Sequence, residues 1–246
     1  MCTVVFIPEN NKQLFASLRD ESPLRPTAPT PEIYSANGTT VLAPKDAFAG
    51  GTWLGINDYS NIIILLNGGF EKHQREEHYK KSRGLIVSEL LASEMPVVDW
   101  ELLYLDAIEP FRLLVWSNQM LFHLVWDGNK KFRIKLDSTI PHILSSSTLY
   151  TVEAKENRQE LFQKWMALNP TVSKLSLLNF FRSGDDYENG FIINRNEKVK
   201  TLSYSFIEFN NNNVAELNYY DLQNYSHSSK SIFMKTSAAN CDMPIL

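Results

Sequence analysis

Apolar residues along this chain fall mostly into short strand-like runs, and only three segments carry helical stripes. Thr3 to Ile7 and Gln13 to Ser17 flank Glu9-Asn10-Asn11-Lys12, a pattern that predicts a hairpin because Asn tolerates the positive φ of a tight turn. Thr52 to Asn57 and Asn61 to Asn67 predict a second hairpin turning at Asp58-Tyr59-Ser60. Its unbroken run Ile62-Ile63-Ile64-Leu65-Leu66 predicts a strand buried on both faces, central in its sheet. Phe111 to Trp116, Met120 to Trp126 and Phe132 to Leu136 predict a meander, with turns at Ser117-Asn118-Gln119 and Asp127-Gly128-Asn129. Leu202 to Phe209 and Val214 to Tyr220 predict a last strand pair around Asn210-Asn211-Asn212-Asn213, and the Ser-rich end from Ser226 carries only weak signals.

The helical stripes lie between these strands. Ser82 is placed to cap a helix whose Ile86, Val87, Leu90 and Leu91 form one apolar face. Arg158 to Leu168 offers Leu161, Phe162, Trp165 and Met166. After the break at Asn169-Pro170, Val172 to Arg182 offers Leu175, Leu178 and Phe181. Pro23, Pro26, Pro29, Pro31 and Pro44 crowd the stretch from Glu21 to Asp46, which predicts an extended surface loop. Strands, a helix, strands, a helix pair and strands again do not alternate as βαβ units. The fold class they predict is α+β, a four-layer αββα sandwich of antiparallel sheets, as a single domain over residues 1–246.

An apolar fraction of 43% supports a substantial core. Lys+Arg 24 against Asp+Glu 28 gives a net charge of -4, without the basic stripe and interleaved aromatics of a nucleic-acid groove. The mixed charges from Lys72 to Arg83 read as a solvated loop. No apolar run approaches the roughly 20 residues of a membrane span. Two cysteines, Cys2 and Cys241, and an N-terminus without signal-peptide features predict a reducing, cytoplasmic home.

Cys2 is the residue with the most chemistry. If Met1 is removed, Cys2 carries a thiol and a free amine together. With ordinary pKa values of about 8.5 and about 7.7–8.0, the amine can serve as base for the thiol. A two-residue turn at Asn10-Asn11 pairs Glu9 with Lys12 and therefore Cys2 with Arg19, unless Pro8 moves the register by one. A guanidinium there favours thiolate, and a carboxylate from Asp20 or Glu21 would hold the amine once protonated. The sequence does not say which of the two acids faces the pocket.

These residues also carry a resemblance. Met1-Cys2-Thr3-Val4-Val5-Phe6, Leu18-Arg19-Asp20-Glu21, Arg25-Pro26-Thr27-Ala28-Pro29, Leu42-Ala43-Pro44-Lys45-Asp46, the block Ala49 to Asn57 with Gly50-Gly51-Thr52-Trp53-Leu54-Gly55, and Ser82-Arg83-Gly84 together resemble the NRDE family, the transport and Golgi organisation protein 2-like proteins. The family is similar to the N-terminal nucleophile hydrolases. That similarity implies a hydrolase of the C–N bond of a small amide, in which Cys2 attacks a carbonyl, Arg19 and Asp20 support it and Asn67 donates to the oxyanion. No metal or cofactor is expected from the sequence. The motif's leading Asn is Leu18 here. The same resemblance implies an alternative, a non-catalytic ligand-binding or trafficking protein on the same scaffold, with haem or lipid as its ligand.

Trp53 reads as core or pocket wall and, with Glu21, as a lining of the substrate pocket; Gly50-Gly51 reads as relief of backbone crowding. His73 and His78 are five residues apart and miss the i, i+4 face of a helical zinc motif. His123 alternates with Phe122 and Leu124 as a satisfied sheet histidine, while His142 and His227 sit by loops. Ser145-Ser146-Ser147 lacks a nucleophile elbow and reads as a turn.

Overall fold

A computed structural model describes residues 2–9, 12–25, 30–210 and 213–235, with only the backbone of Cys2. The expected turn at Asn10-Asn11, the Pro26 to Pro29 segment, Asn211-Asn212, the Cys2 thiol, Met1 and Cys241 lie outside the described residues. Two antiparallel sheets form. One runs in the order β10 (His142–Ser145), β1 (Cys2–Glu9), β2 (Lys12–Glu21), β12 (Val199–Asn210), β13 (Val214–Asp221) and β14 (Ser226–Phe233), with the short β11 (Asn194–Arg195) beside β12. The other keeps chain order through β3 (Glu32–Ala36), β4 (Thr39–Ala43), β5 (Leu54–Asn57), β6 (Ile62–Asn67), β7 (Phe111–Ser117), β8 (Met120–Trp126) and β9 (Lys131–Leu136). The apolar run of β6 is indeed fully buried at the centre of that sheet.

Strand alternation sorts the layers. Phe6 and Phe15 face the second sheet, with ring centroids 5.8 and 6.2 Å from Trp116. Val5, Ile7, Leu14, Ala16 and Leu18 face the other way. They pack on Phe162 of α3 (Val152–Leu168) and on Leu177, Leu178 and Phe181 of α4 (Lys174–Arg182). On the far side of the second sheet, α1 (Arg83–Leu91) buries Ile86, Val87, Leu90 and Leu91. Trp100 of α2 (Pro96–Leu102) meets Phe111 edge-on at 5.7 Å. The result is the four-layer αββα sandwich that the order of elements predicts. Ser82 accepts a hydrogen bond from the Leu85 amide, as expected of a cap. No helix among the described residues is long and apolar enough to cross a membrane.

Several local expectations fail for physical reasons. The Glu21 to Asp46 stretch is not all loop: β3 and β4 form a hairpin inside it. The prolines lie at 23 to 31 and at 44, outside the strands, and Asn37 and Gly38 turn between them with φ of 51° and 78°. The helix expected from Arg158 begins six residues earlier, where Thr151 caps α3 through the Ala154 amide; that first turn has no apolar stripe to reveal it. Leu161 and Leu175 are exposed, and Arg158, Leu177 and Phe180 are buried in the helix layer instead. The apolar pattern does not announce helix α2, strand β10 or the edge strand β14. His142 opens β10 and His227 is the second residue of β14, so both sit beside loops as expected while belonging to strands.

His123 is not a satisfied histidine. Its Nε2 has no hydrogen-bond partner among the described residues, and burial, with the Arg112 guanidinium, pulls its pKa down to about 4 from 6.5. The unfolded chain therefore takes up a proton near pH 6.5 that the native chain refuses until about pH 4. This contribution to stability is complete above pH 6.5 and is lost as pH falls through about 4, a decline of about 3 kcal/mol. His123→Phe is expected to flatten that part of the profile, read from urea unfolding at a series of pH values between 7 and 4. Equal slopes for both proteins would discount this histidine.

Candidate functional site

The site is built where β2 leaves its hairpin. All eight β1–β2 partners sum to 21, from Glu9↔Lys12 through Pro8↔Gln13 to Cys2↔Arg19, so Pro8 does not displace the register. Side chains alternate along a strand, and β2 therefore sends Arg19 and Glu21 to one face and Asp20 to the other. Arg19, Glu21, Trp53 and Asn67 all line one cavity of about 430 Å³. Asp20, expected beside Arg19, is absent from that wall and lies fully buried toward the helix layer. The open choice between the two acids is thus resolved in geometry: Glu21 faces the cavity.

Arg19 is 7% exposed. Its guanidinium lies over the Trp53 ring, 4.6 Å from the centroid, and 3.7 Å from Asp46 Oδ2. Asp46 is already engaged. Its Oδ2 accepts from Arg25 Nε at 3.0 Å and lies 2.9 Å from a second Arg25 nitrogen, and its Oδ1 accepts from the Ala49 and Phe48 amides at 2.8 and 3.0 Å. Burial would raise the Asp46 pKa, but the Ala49 amide and Arg25 hold it below the usual carboxylate range. Arg19 has no hydrogen-bond partner among the described residues and lines the cavity. Glu21 accepts from the Ser22 amide at 2.9 Å and lies 3.8 Å from Arg25. Sequence reasoning passed over Asp46 and Arg25, although both stand inside motif segments.

Behind β2, Asp20 accepts from the Tyr150 hydroxyl and from Thr201 Oγ1, each at 2.7 Å. Burial leaves its pKa raised above the usual carboxylate range, and Arg158, Tyr150 and Thr201 offset only part of that rise. On the opposite wall, two motif blocks distant in sequence meet. Gly51 lies so close to Gly84 that a Cβ would fall 2.2 Å from the Gly84 carbonyl carbon, and the Thr52 amide donates to Gly84 O at 3.1 Å. Gly51 shows the crowding relief expected of it, whereas a Cβ at Gly50 would meet nothing within 4 Å and that residue supplies a φ of 73° instead. Asn67 ends β6, and its carbonyl accepts from Ser146 Oγ at 3.0 Å, while Ser147 Oγ donates to Gly69 O at 2.9 Å. Of the three serines expected as a plain turn, Ser145 ends β10 and Ser146 and Ser147 clasp the end of β6. His73 lies 3.4 Å from Glu109, which also pairs with Arg83 at 3.1 Å on the cavity wall.

A family model described as Transport and Golgi organisation 2 matches residues 1–240. The chain belongs to this family. No curated protein matches it. Among solved structures, the R18L variant of the conjugated bile acid hydrolase from Clostridium perfringens superposes with a TM-score of 0.60 at 10% identity, over 97% of this chain and 100% of that one. The penicillin V acylase from Agrobacterium tumefaciens gives 0.56 at 12% identity over 95% and 86% of the two chains. A Caenorhabditis elegans ortholog of N-acylethanolamine-hydrolyzing acid amidase gives 0.57 at 13% identity over 84% and 92%. At such identities the likeness is one of fold. This Transport and Golgi organisation 2 family member therefore has an N-terminal nucleophile hydrolase-like sandwich, with Arg19, Glu21, Asp46, Trp53 and Arg83 from its motif segments lining one cavity.

Proposed function

We propose that this family member is a cytoplasmic, single-domain hydrolase of small amides that uses Cys2 as an N-terminal nucleophile. The observation that carries the reading is the pairing of position 2 with Arg19, a nearly buried cation on a 430 Å³ cavity, a volume suited to a small molecule. Once Met1 is gone, the Cys2 amine takes the thiol proton and the sulfur attacks the carbonyl carbon. Arg19 favours the thiolate, and the Asn67 side chain donates to the oxyanion. The C–N bond breaks as the amine leaving group takes the proton, and water then cleaves the thioester. Glu21 and Trp53 form the substrate side of the wall, and Asp20 supports the amine once it is protonated. The names of the three structural neighbours, a hydrolase, an acylase and an amidase, agree with this class of chemistry.

The test does not require that the substrate be identified. Purified protein is mixed with a broad panel of small amides, quenched in acid and weighed intact. The expected outcome is a chain lacking Met1 that gains an acyl group on Cys2 with at least one amide. Retention of Met1, or no adduct with any amide, would overturn the reading.

One observation favours a second reading, ligand binding without turnover. Leu18, where the family motif has Asn, is fully buried in the apolar layer under α3 and α4, so this motif position is apolar core on the face away from the cavity. Titration with haem, followed at the Soret band, and with lipid would separate this reading: saturable binding with no acyl adduct supports it.

A further inference from the structure

Asp20, Tyr150 and Arg158 form a closed polar cluster behind the cavity wall, 0%, 3% and 1% exposed. An ionised carboxylate in such a place needs donors and a countercharge, or it takes up a proton. Both are present. Tyr150 and Thr201 each give a hydroxyl to one carboxylate oxygen at 2.7 Å. Thr201 Oγ1 in turn accepts from the Ile193 amide at 2.9 Å, which directs its own proton toward Asp20. The Arg158 guanidinium stacks 3.5 Å from the centroid of the Tyr150 ring. Every contact thus presents Asp20 with donors, as an ionised acceptor requires.

Arg158 also reaches the strand that carries the nucleophile. It donates to Thr3 Oγ1 at 2.5 Å and to Ser145 Oγ at 3.3 Å, gripping the cross-strand pair Thr3↔Ser145 next to position 2. Its remaining donors go to the carbonyls of Asn189, at 3.0 Å, and Gly190. From β11, Arg195 lies 5.2 Å from the Tyr150 ring centroid and donates to Leu149 O at 3.0 Å. Arg19 and Glu21 face the opposite side of β2, at the cavity. The cluster therefore joins the start of β1, the end of β2, β10, β12 and α3.

We propose that Tyr150, Thr201 and Arg158 are positioning residues that keep Asp20 ionised, so that it holds the ammonium formed when the Cys2 amine takes the thiol proton. The proposal rests on the nucleophile reading above. In that step the proton passes from sulfur to the amine and stays there, and Asp20 contributes charge without becoming protonated.

The experiment follows alkylation of Cys2 by iodoacetamide across pH, located by peptide mass spectrometry so that Cys241 is not counted. In Asp20→Asn the ammonium loses its carboxylate, and both amine and thiol release their protons at lower pH. The midpoint should fall by about one pH unit, giving up to about tenfold faster alkylation on the acid side. Tyr150→Phe/Thr201→Val, which removes both hydroxyls without changing formal charge, should reproduce most of that shift. Thr201→Val alone should show a part of it, and serves if the double variant fails to fold by thermal unfolding. Arg158→Lys, which keeps the charge, should retain the wild-type midpoint. If the hydroxyl variants keep the wild-type midpoint while Asp20→Asn moves it, the cluster is structural only and the proposal fails. An unmoved midpoint in Asp20→Asn removes the role of Asp20 itself. A Cys2 that resists alkylation at every pH sinks the nucleophile reading and this inference with it.

Discussion

Cys2→Ala is expected to lower kcat for any amide the wild-type protein hydrolyses by at least about 10³-fold, with KM changed little. The size of the loss follows from the absence of a substitute nucleophile. Arg19 and Asn67 can still polarise a bound carbonyl, which leaves residual acceleration over water, but no acyl intermediate can form. KM is expected to hold because Arg19, Glu21 and Trp53 line the cavity independently of the thiol. Cys2→Ser should fall between the two, since a hydroxyl is a far weaker nucleophile against an amine of ordinary basicity. Steady-state rates and acyl-adduct mass measured on the same preparations check this. A fall in kcat of less than about tenfold in Cys2→Ala would place the chemistry elsewhere.

What the sequence reveals and what it hides divide by range. The β1–β2 register follows from a two-residue turn between local runs, so pairing of Cys2 with Arg19 is readable from spacing alone. Alternation along the same strand also requires Arg19 and Asp20 to part company, a consequence available before any coordinates, yet grouping by motif sets it aside. The prolines mislead because their density is averaged over a stretch whose middle, from Glu32 to Ala43, contains none. There the Asn37-Gly38 pair is the signal to weigh. Contacts across the chain leave no local trace. Tyr150 and Asp20 are 130 residues apart and Arg158 and Thr3 are 155 apart. A helical arginine reads as solvent-facing unless its acceptors are known, and these come from three other elements. Asp46 is hidden differently: Phe48 and Ala49 are near in sequence and Arg25 lies 21 residues away, and nothing in their spacing says that they converge on one carboxylate.

Gly51→Ala is expected to destabilise the fold by about 4 kcal/mol, more than a single methyl group ordinarily does. The added Cβ would lie 2.2 Å from Gly84 C and 2.5 Å from both Gly84 O and Leu85 N. All three are backbone atoms at the start of α1, so no side chain can rotate away, and the loop before β5 and the helix must separate by more than an ångström to regain ordinary contact. That movement breaks the Thr52 N–H to Gly84 O bond and lifts the Ile86, Val87, Leu90 and Leu91 stripe off its sheet. For a chain of this size the melting temperature should fall by on the order of 10 °C. Gly38→Ala is the matched control. Its Cβ meets nothing within 4 Å, and the expected loss is only about 1 kcal/mol, from forcing alanine to a φ of +78°. The two blocks that touch at Gly51 and Gly84 also supply Thr52, Trp53, Ser82 and Arg83 to the cavity. The alanine variant should therefore change Cys2 alkylation at temperatures where it is still folded, whereas Gly38→Ala should not. A melting temperature within about 2 °C of wild type would mean that α1 yields at no expense to its packing, and that the glycine pair is not what sets the cavity wall.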